Sequence, residues 1–298
     1  MGINCLLPFV KKYSTNVNIN RFSGQTIAVD ASCWIHKLLA ISVSQTGTRE
    51  RFSRIFNSHI QPLKDAEVIP LMVFDGLALP AKEKENARRQ SERRERMEKA
   101  QTKNISTTQR NKLASQGQEK TYHDVVECIK LCLCQRVKYV VSPYESDAQI
   151  AFLLKNGYAD VAVTEDSDLL VYGCEKVIFK LGMTGHGEYV ELNNILSGLN
   201  TTNTEFVHGS IAAGCDYLSN VRGVGIHRAF SFVKSGKLFE ELKKKHSPAN
   251  YEDLFQMALA VFQHQSVFNS TLLTVQPLNP WTEDPGDEVK YFCGLYPF

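Results

Sequence analysis

The segment Val161-Ala162-Val163-Thr164-Glu165-Asp166-Ser167-Asp168 begins as a run of small or β-branched residues and ends in three acids. A short run of this kind without polar alternation is typical of a strand that helices cover on both faces, and such strands are usually parallel. In open parallel sheets, ligands bind outside the carboxyl ends of the strands. The acids that follow this run are therefore expected where such a sheet binds its ligand.

The same pattern, an apolar run that ends in acid, occurs in three other parts of the chain. These runs are residues 27–30, which end in Asp30, residues 71–75, which end in Asp75, and residues 139–145, which end in Glu145. A further apolar run at 176–180 predicts another strand. The sequence therefore predicts an α/β fold, in which a mostly parallel, twisted central sheet is flanked by helices on both sides.

The acids at these strand ends are candidate metal ligands. Each acid alone is more often a helix N-cap or a turn residue, but four strand ends in acid are much less probable as a coincidence. Several carboxylates at one edge repel one another and raise each other's pKa unless cations neutralise them. A buried acid in the apolar stretch around Asp216, which we expect to be helical, needs a partner for the same reason. The predicted ligands are Asp30, Asp75, Glu145, Asp147, Asp166, Asp168 and Asp216.

Carboxylate oxygens suit Mg²⁺, for which Mn²⁺ can substitute. Two such ions about 3.5–4 Å apart can activate a water molecule and stabilise the attacking and leaving oxygens of phosphodiester hydrolysis. A phosphatase with an aspartate nucleophile is the alternative use of strand-end acids. That chemistry usually needs a second acid two residues after the first, whereas Asp30 is followed by Ala31 and Ser32.

Composition limits the other classes of function. The 298 residues have a net charge of +2, which argues only weakly for an anionic partner. The eight cysteines show no C-x-x-C spacing, so buried free thiols and a reducing compartment are expected. No stretch is apolar for long enough to span a membrane, and the first residues do not have the pattern of a signal peptide.

Basic residues are concentrated between residues 82 and 103, where strong helix formers predict a charged, exposed helix. One interpretation is a solvated helix stabilised by pairs such as Glu85 with Arg89 and Glu92 with Arg96. The other is functional: Lys82 and Arg89 are seven residues apart, so they share a helical face and could polarise a phosphate near the metals.

The segment from Gly223 to Ala229 is a second candidate phosphate contact. A glycine turn at a helix N-terminus exposes backbone N–H groups that bind phosphate. A single G-x-G is more often only a tight turn, but beside an acid cluster and a basic helix it favours DNA binding. The predicted DNA-binding residues are Arg88, Arg93, Arg222, Gly223, Gly225, His227 and Arg228.

Six motifs occur in a fixed order along the chain. They are Met1-Gly2-Ile3, Val29-Asp30-Ala31-Ser32, Val73-Phe74-Asp75-Gly76, Pro143-Tyr144-Glu145-Ser146-Asp147-Ala148-Gln149, Thr164-Glu165-Asp166-Ser167-Asp168-Leu169-Leu170 and Gly214-Cys215-Asp216-Tyr217. Together they resemble the flap endonuclease/XPG superfamily of structure-specific 5′ nucleases. Within it the likeness is closest to the catalytic domain of exonuclease-one, through motifs such as Cys33-Trp34-Ile35-His36-Lys37.

The resemblance implies a PIN-like 5′ nuclease fold with a helical arch and a helix-two-turn-helix element. It implies that the seven acids hold two Mg²⁺ ions and that Lys82 and Arg89 are the basic pair of the arch. It places Gly2 near the active centre, His36 against a base beside the scissile phosphate, and a K⁺ ion at the glycine turn. The implied activity is 5′-to-3′ exonuclease cleavage of double-stranded DNA at ends, nicks and gaps, with 5′ flap cleavage as a second activity.

Three features depart from the exonuclease-one pattern. Ser32 stands where those relatives have an aromatic residue, Asn220 stands where they tend to have serine beside the K⁺ site, and residues 37–54 are short for a duplex-opening wedge. A flap endonuclease is the alternative within the superfamily, a junction resolvase is a weaker one, and an inactive DNA-binding scaffold is a remote one. The scaffold is disfavoured because no acid has been lost.

The resemblance also implies an organisation of the chain. We expect one nuclease domain over 1–298, with an N-terminal region at 1–97, the arch at 81–120, an internal region at 122–235 that carries the helix-two-turn-helix at about 207–235, and C-terminal helices with a tail at 236–298. A monomer in the nucleus is expected, with DNA as its partner and no membrane association. Mismatch-repair proteins are possible partners through a tail that this chain does not contain.

Overall fold

A computed structural model describes residues 2–102 and 105–295. Lys103 of the basic run, and Tyr296 and Phe298 of the predicted tail, lie outside these ranges. The strands are β1 (Thr15–Asn18), β2 (Thr26–Asp30), β3 (Ile69–Phe74), β4 (Lys138–Val141), β5 (Val161–Thr164), β6 (Lys176–Phe179), β7 (His186–Glu191), β8 (Ser266–Asn269) and β9 (Thr274–Pro277).

The helices follow the same chain order. They are α1 (Leu6–Val10), α2 (Ala31–Thr46), α3 (Phe52–Asp65), α4 (Glu83–Ala100), α5 (Thr107–Gln116), α6 (Tyr122–Cys134), α7 (Ser146–Lys155), α8 (Asp168–Val171), α9 (Leu192–Leu199), α10 (Asn203–Ala213), α11 (Ile226–Lys234), α12 (Leu238–Lys244), α13 (Tyr251–His264) and α14 (Asp287–Phe292).

The central sheet has seven strands in the order β1-β7-β6-β5-β2-β3-β4. Strands β2 to β6 pair in parallel, as predicted, and β7 is antiparallel to β6 and β1. From β2 the chain adds β3 and β4 on one side, and then β5 and β6 on the other. The strand order reverses at β2, which is the position where open α/β sheets bind ligands.

Alternate residues of β2 enter different cores. Ile27 and Val29 pack with Trp34 and the apolar faces of α2, α3 and α6, whereas Ala28 packs against α7 and α10 on the opposite face. Both layers of helices bury apolar residues against the sheet, and they hold the strand ends in fixed register. The predicted α/β fold with helices on both sides is confirmed.

The edges of the sheet differ from the sequence prediction. Strand β4 was expected to be covered on both faces, but it is an edge strand with Tyr139 and Val141 exposed. Strands β1 and β7 were not predicted, because their polar residues alternate with few apolar ones. The β8–β9 hairpin was also missed, and it lies in the C-terminal part together with α13 and α14.

The basic run forms a turn of 3₁₀ helix at Pro80–Lys82 followed by α4, and α5 packs beside α4. Gly117 lets the end of α5 approach α4, because a Cβ atom there would lie 2.7 Å from the Met97 side chain. The expected ion pairs along α4 are present, including Arg89 with Glu85 at 2.6 Å. These helices lie across the carboxyl ends of β2 and β3 and close a cavity over them.

Two further expectations concern cysteines and membranes. Every cysteine is a free thiol in the part of the chain that the structure describes, and Cys128 and Cys132 are buried. Over residues 2–102 and 105–295, none of the helices combines the length and apolar character that crossing a bilayer requires.

Candidate active site

The ends of β2 and β3 bring Asp30 and Asp75 to the N-terminus of α7. The Ser146 backbone N–H donates to Asp75 Oδ1 at 2.9 Å, and the Ser146 hydroxyl donates to Asp30 Oδ1 at 3.2 Å. Asp30 also caps α2 by accepting from the Cys33 backbone N–H, so it is both a helix N-cap and a member of the acid cluster. Its second oxygen accepts from the Thr164 hydroxyl at 2.8 Å.

The acids after β5 lie against the first residues of the chain. The Ile3 backbone N–H donates to Asp168 Oδ1 at 2.9 Å and to the Ser167 hydroxyl at 3.0 Å. Gly2 has a φ of +90°, and a Cβ atom there would lie 1.9 Å from Asp166 Oδ1. Only glycine fits this approach, since any side chain would collide with the carboxylate and strain the backbone.

Glu145 and Asp147 enter the site from the start of α7. Glu145 Oε1 is 2.5 Å from Lys82 Nζ, and its Oε2 accepts from the Tyr217 hydroxyl at 2.9 Å. Tyr217 is also 2.8 Å from the Tyr172 hydroxyl, which donates to Gln265 at 2.6 Å. The buried tyrosine network therefore fixes Glu145 from the side away from Lys82.

The cations of the arch converge on Asp216. Lys82 Nζ lies 2.8 Å from its Oδ2, and Arg89 Nη2 lies 2.7 Å from its Oδ1. The prediction that Asp216 is helical is wrong, because α10 ends at Ala213 and Gly214, with a φ of +103°, turns the chain out of the helix. Asp216 therefore stands in a bend, where its carboxylate faces Lys82 and Arg89.

Burial and mutual repulsion raise the pKa values of the acids that no lysine or arginine contacts. Burial raises the pKa of Asp30, and the neighbouring Asp75 raises it further. The pKa values of Asp147 and Asp168 are raised well above the ordinary range by burial and by nearby carboxylates, Asp30 and Asp166 among them. The pKa of Asp166 is also raised by burial, although Lys82 opposes the shift.

The acids that have a basic partner behave differently. Burial acts to raise the pKa of Asp216, but Lys82 and Arg89 together hold it below its usual range. Burial also acts to raise the pKa of Asp75, but Lys120 outweighs this effect and the pKa is lowered. For Glu145, burial outweighs the contact with Lys82 and the pKa is raised. The site therefore carries more buried negative charge than its own cations neutralise.

The donor set fits divalent cations. Asp147 Oδ1 and Asp168 Oδ2 are buried and accept no hydrogen bond in the described part of the chain. Buried, unpaired carboxylate oxygens are strongly unfavourable unless a cation binds them. No group of three or more His, Cys, Asp or Glu side chains within residues 2–102 and 105–295 is already arranged around one point. Three of the seven acids are instead held by lysine or arginine, at distances of 2.5–2.8 Å.

Cavities of about 690 and 570 Å³ lie between the acids and the arch helices. His36 and Arg93 line both of them, and Arg88 lines the larger one. Burial and the positive charges of Lys120 and Arg93 lower the pKa of His36 to about 4, so its ring is neutral at physiological pH. An uncharged, half-buried ring at this position is suited to contact with a base.

The predicted glycine turn lies between α10 and α11, in the same connection as Asp216. Arg222, Gly223, Gly225, His227 and Arg228 are exposed there. Gly223 has a φ of +81°, which the turn requires, and Gly225 precedes the first residue of α11. The structure thus separates the predicted DNA-binding residues into a group on the arch, Arg88 and Arg93, and a group at this turn.

Comparison with known proteins agrees with this arrangement. The family profile described as the XPG N-terminal domain matches residues 1–96, and that of the XPG I-region matches residues 136–216. Together they cover more than half of the chain. The chain belongs to the XPG family. The resemblance predicted from the sequence motifs is therefore confirmed.

Relatives within the family include Exonuclease 1 of Xenopus laevis, which is 30% identical over 316 residues and matches 99% of this chain and 43% of its own length. Exonuclease 1 of Arabidopsis thaliana is 32% identical over 310 residues, with 98% and 42% covered. The chain thus spans less than half the length of these relatives.

Solved structures show the same fold. The catalytic core of Rad2 in complex with a DNA substrate matches with a TM-score of 0.66 and 22% identity, over 86% of this chain and 79% of that one. Flap endonuclease-1 from Methanococcus jannaschii matches with a TM-score of 0.61 and 24% identity, over 83% and 82% of the two chains.

Several residues of the site were not predicted from the sequence. Thr164, Ser146 and Tyr217 hold the acids through hydrogen bonds, and each lies within two residues of a predicted ligand. Their positions inside the motifs are a signal that could have identified them. Lys120 lies in no motif, and only the folded chain shows that it contacts Asp75.

The uneven neutralisation of the acids predicts opposite effects of two similar substitutions. In the presence of a chelator, Asp147→Asn should stabilise the protein by about 0.5–2 kcal/mol, because it removes an uncompensated buried charge. Asp216→Asn should destabilise it by about 1–3 kcal/mol, because Lys82 and Arg89 lose their shared partner and keep only Glu145 and Glu85. Urea unfolding at neutral pH measures both. Equal destabilisation by the two substitutions would contradict this electrostatic description.

The pH dependence of the same experiment has a defined sign. The folded pKa of Asp147 lies above its ordinary value of 3.8, so the folded protein binds this proton more tightly than the unfolded chain does. The contribution of Asp147 to stability therefore falls as the pH rises above 3.8 and through the raised pKa. In Asp147→Asn this part of the decline should be absent.

Proposed function

We propose that this chain is a Mg²⁺-dependent, structure-specific 5′ nuclease that hydrolyses phosphodiester bonds of DNA. Its main activity is 5′-to-3′ exonuclease cleavage of double-stranded DNA, and 5′ flap cleavage is a second activity. The observation that carries the proposal is the contact of Lys82 and Arg89, from the arch, with Glu145 and Asp216, two of the predicted metal ligands.

The predicted ligands support hydrolysis by two divalent ions. Asp30, Asp75, Glu145, Asp147, Asp166, Asp168 and Asp216 would hold the ions, with Mn²⁺ able to replace Mg²⁺. When bound, such ions supply an activated water and stabilise negative charge on the attacking and leaving oxygens. Gly2 and the Ile3 N–H hold the Asp166–Asp168 segment in place, and Ser146 holds Asp30 and Asp75.

Lys82 and Arg89 are the chain's own contribution to charge stabilisation. Lys82 is 7% exposed, and its pKa is raised well above the ordinary value because Glu145 and Asp216 outweigh the effect of burial. Both side chains are therefore positively charged throughout the physiological range. Once their acids serve as metal ligands, these cations have phosphate oxygens as the next available acceptors. Fixed cations at a developing oxyanion accelerate such reactions strongly.

The arch and the glycine turn suggest how DNA is bound. A single strand that passes between α4 and α5 and the strand ends would meet His36, Arg88 and Arg93 along the cavities. Arg222, Arg228 and the backbone N–H groups at the start of α11 would contact the phosphates of the duplex. These two groups of residues support a substrate that has both a duplex part and a 5′ end.

The choice of an exonuclease rather than a replicative flap endonuclease rests on the relatives named Exonuclease 1. Repair of chromosomal DNA would place the protein in the nucleus. Activity as a monomer, and binding of mismatch-repair proteins through a segment outside this chain, remain predictions.

The nuclease proposal is tested with 5′-labelled recessed, nicked and flapped duplexes in Mg²⁺. We expect release of 5′ products, abolition of cleavage in Asp166→Ala, and losses of roughly 10²–10³-fold in kcat in Lys82→Ala and Arg89→Ala. Asp253→Ala, which removes an acid from the first turn of α13, is the control and should cleave normally. Absence of cleavage by the wild-type chain, or equal cleavage by Asp166→Ala, would contradict the proposal.

We propose that the glycine turn holds no K⁺ ion, in contrast to what the resemblance implied. Two carbonyl oxygens of the turn each accept a hydrogen bond from a side chain of the protein: Asn220 Nδ2 donates to the Val224 oxygen at 2.8 Å, and Arg228 Nη1 donates to the Gly223 oxygen at 2.5 Å. The guanidinium of Arg228 is also a positive charge beside the turn, and it opposes the binding of a second cation.

Duplex binding should therefore not depend on the identity of the monovalent cation. We expect equal affinity for a blunt duplex in KCl and in LiCl at the same ionic strength, measured by fluorescence anisotropy with a chelator present to prevent cleavage. The comparison at constant ionic strength removes the general effect of salt on DNA binding. Clearly tighter binding in KCl would show that the turn does use K⁺.

A further inference from the structure

Lys120 is a third cation at the predicted metal ligands. Its Nζ lies 2.6 Å from Asp75 Oδ2 and 3.1 Å from the Ser32 hydroxyl oxygen. The side chain is only 17% exposed, so the ammonium group is directed into the site. It lines the 570 Å³ cavity together with Lys82 and Arg89. The walls of this cavity therefore carry Lys120, from the connection between α5 and α6, beside the cations Lys82, Arg89 and Arg93.

The backbone on both sides of Lys120 is held in place. Lys120 lies in the connection between α5 and α6, where Arg49 donates to the Glu119 carbonyl oxygen at 2.5 Å and to Gln118 Oε1 at 2.8 Å. The next residue, Thr121, caps α6 with a capping box. Because the connection is fixed at both ends, the direction of the Lys120 side chain is set by the fold.

Ser32 provides the space for this ammonium group. The serine is 4% exposed, and its hydroxyl oxygen also accepts from the Asp75 backbone N–H at 3.1 Å. A larger side chain at this position would fill the space that the end of Lys120 occupies. The serine at this position and the lysine of the α5–α6 connection thus form one unit around Asp75.

A divalent ion and the Lys120 ammonium group compete for the same carboxylate. Asp75 Oδ1 already accepts from the Ser146 backbone N–H, and Oδ2 is the atom that Lys120 contacts. A metal ion that binds Oδ2 must displace the ammonium group and bind near a positive charge. Removal of that charge should therefore strengthen metal binding.

We propose that Lys120 is a positioning residue, which holds Asp75 in its ligand geometry before the metal binds, weakens metal binding by competition, and faces the substrate phosphate once displaced. The proposal rests on the nuclease function proposed above. It predicts that loss of the lysine changes metal affinity and turnover in opposite directions. A residue that only supported the local structure would weaken both.

The test measures Mn²⁺ binding without DNA, by the electron paramagnetic resonance signal of free Mn²⁺, and then kcat on a recessed duplex. Lys120→Gln should bind Mn²⁺ at least about fivefold more tightly than the wild type, because the competing charge is gone. Its kcat should fall. Lys120→Met, which keeps much of the length of the side chain, should behave like Lys120→Gln and provides a second variant if the first folds poorly.

Two control variants accompany this test. One keeps the positive charge at position 120, and the other removes a lysine elsewhere in the chain. Lys120→Arg should bind Mn²⁺ no more tightly than the wild type. Lys37→Gln removes a lysine that pairs with Glu165 at 2.5 Å, outside the predicted ligands, and should leave Mn²⁺ affinity unchanged. If the wild type binds Mn²⁺ and Lys120→Gln binds it no more tightly, the role of Lys120 is overturned and the nuclease proposal stands. If no variant binds Mn²⁺, both are overturned.

Discussion

The buried carboxylates at one edge of the sheet repel one another, and the residues around them are arranged to offset that repulsion. Parallel strands that start on one side of a sheet end on the other, so acids that follow four of them meet at one edge. There, burial removes the water that would otherwise separate their charges, and the pKa values of Asp30, Asp147, Asp166 and Asp168 rise. The fold places these charges together, and therefore it has to compensate them.

The groups that stabilise these buried carboxylates lie on two sides of the site. On the side of the arch, Lys82, Arg89 and Lys120 each form an ion pair with a predicted ligand. On the side of the sheet, backbone N–H groups and hydroxyls hold the acids without neutralising them, as at Asp168 and Asp30. Uncompensated charge therefore lies on the side of the sheet, and the cationic side chains lie on the side of the arch. This separation of charge suits a site that binds metal ions against the acids on the side of the sheet and a phosphate against the cations on the side of the arch.

The sequence predicted the sheet and the acid edge because both follow from local patterns. Short apolar runs identify buried parallel strands, and an acid directly after such a run needs no tertiary information to be placed. The exposed edge strand β4 and the bend at Asp216 were missed for physical reasons. Exposure of an edge depends on what else the chain packs beside it, and the end of α10 depends on the backbone conformation of Gly214. Lys120 was missed because its contact joins residues 45 positions apart.

We propose this edge of the sheet as a binding site for two divalent cations. Anomalous diffraction from crystals soaked in Mn²⁺ tests it most directly. Two peaks are expected among the seven carboxylates, about 3.5–4 Å apart, with Asp147 and Asp168 among the ligands. Crystals that show no peak there, with Lys82 and Lys120 still paired to Glu145 and Asp75, would contradict it.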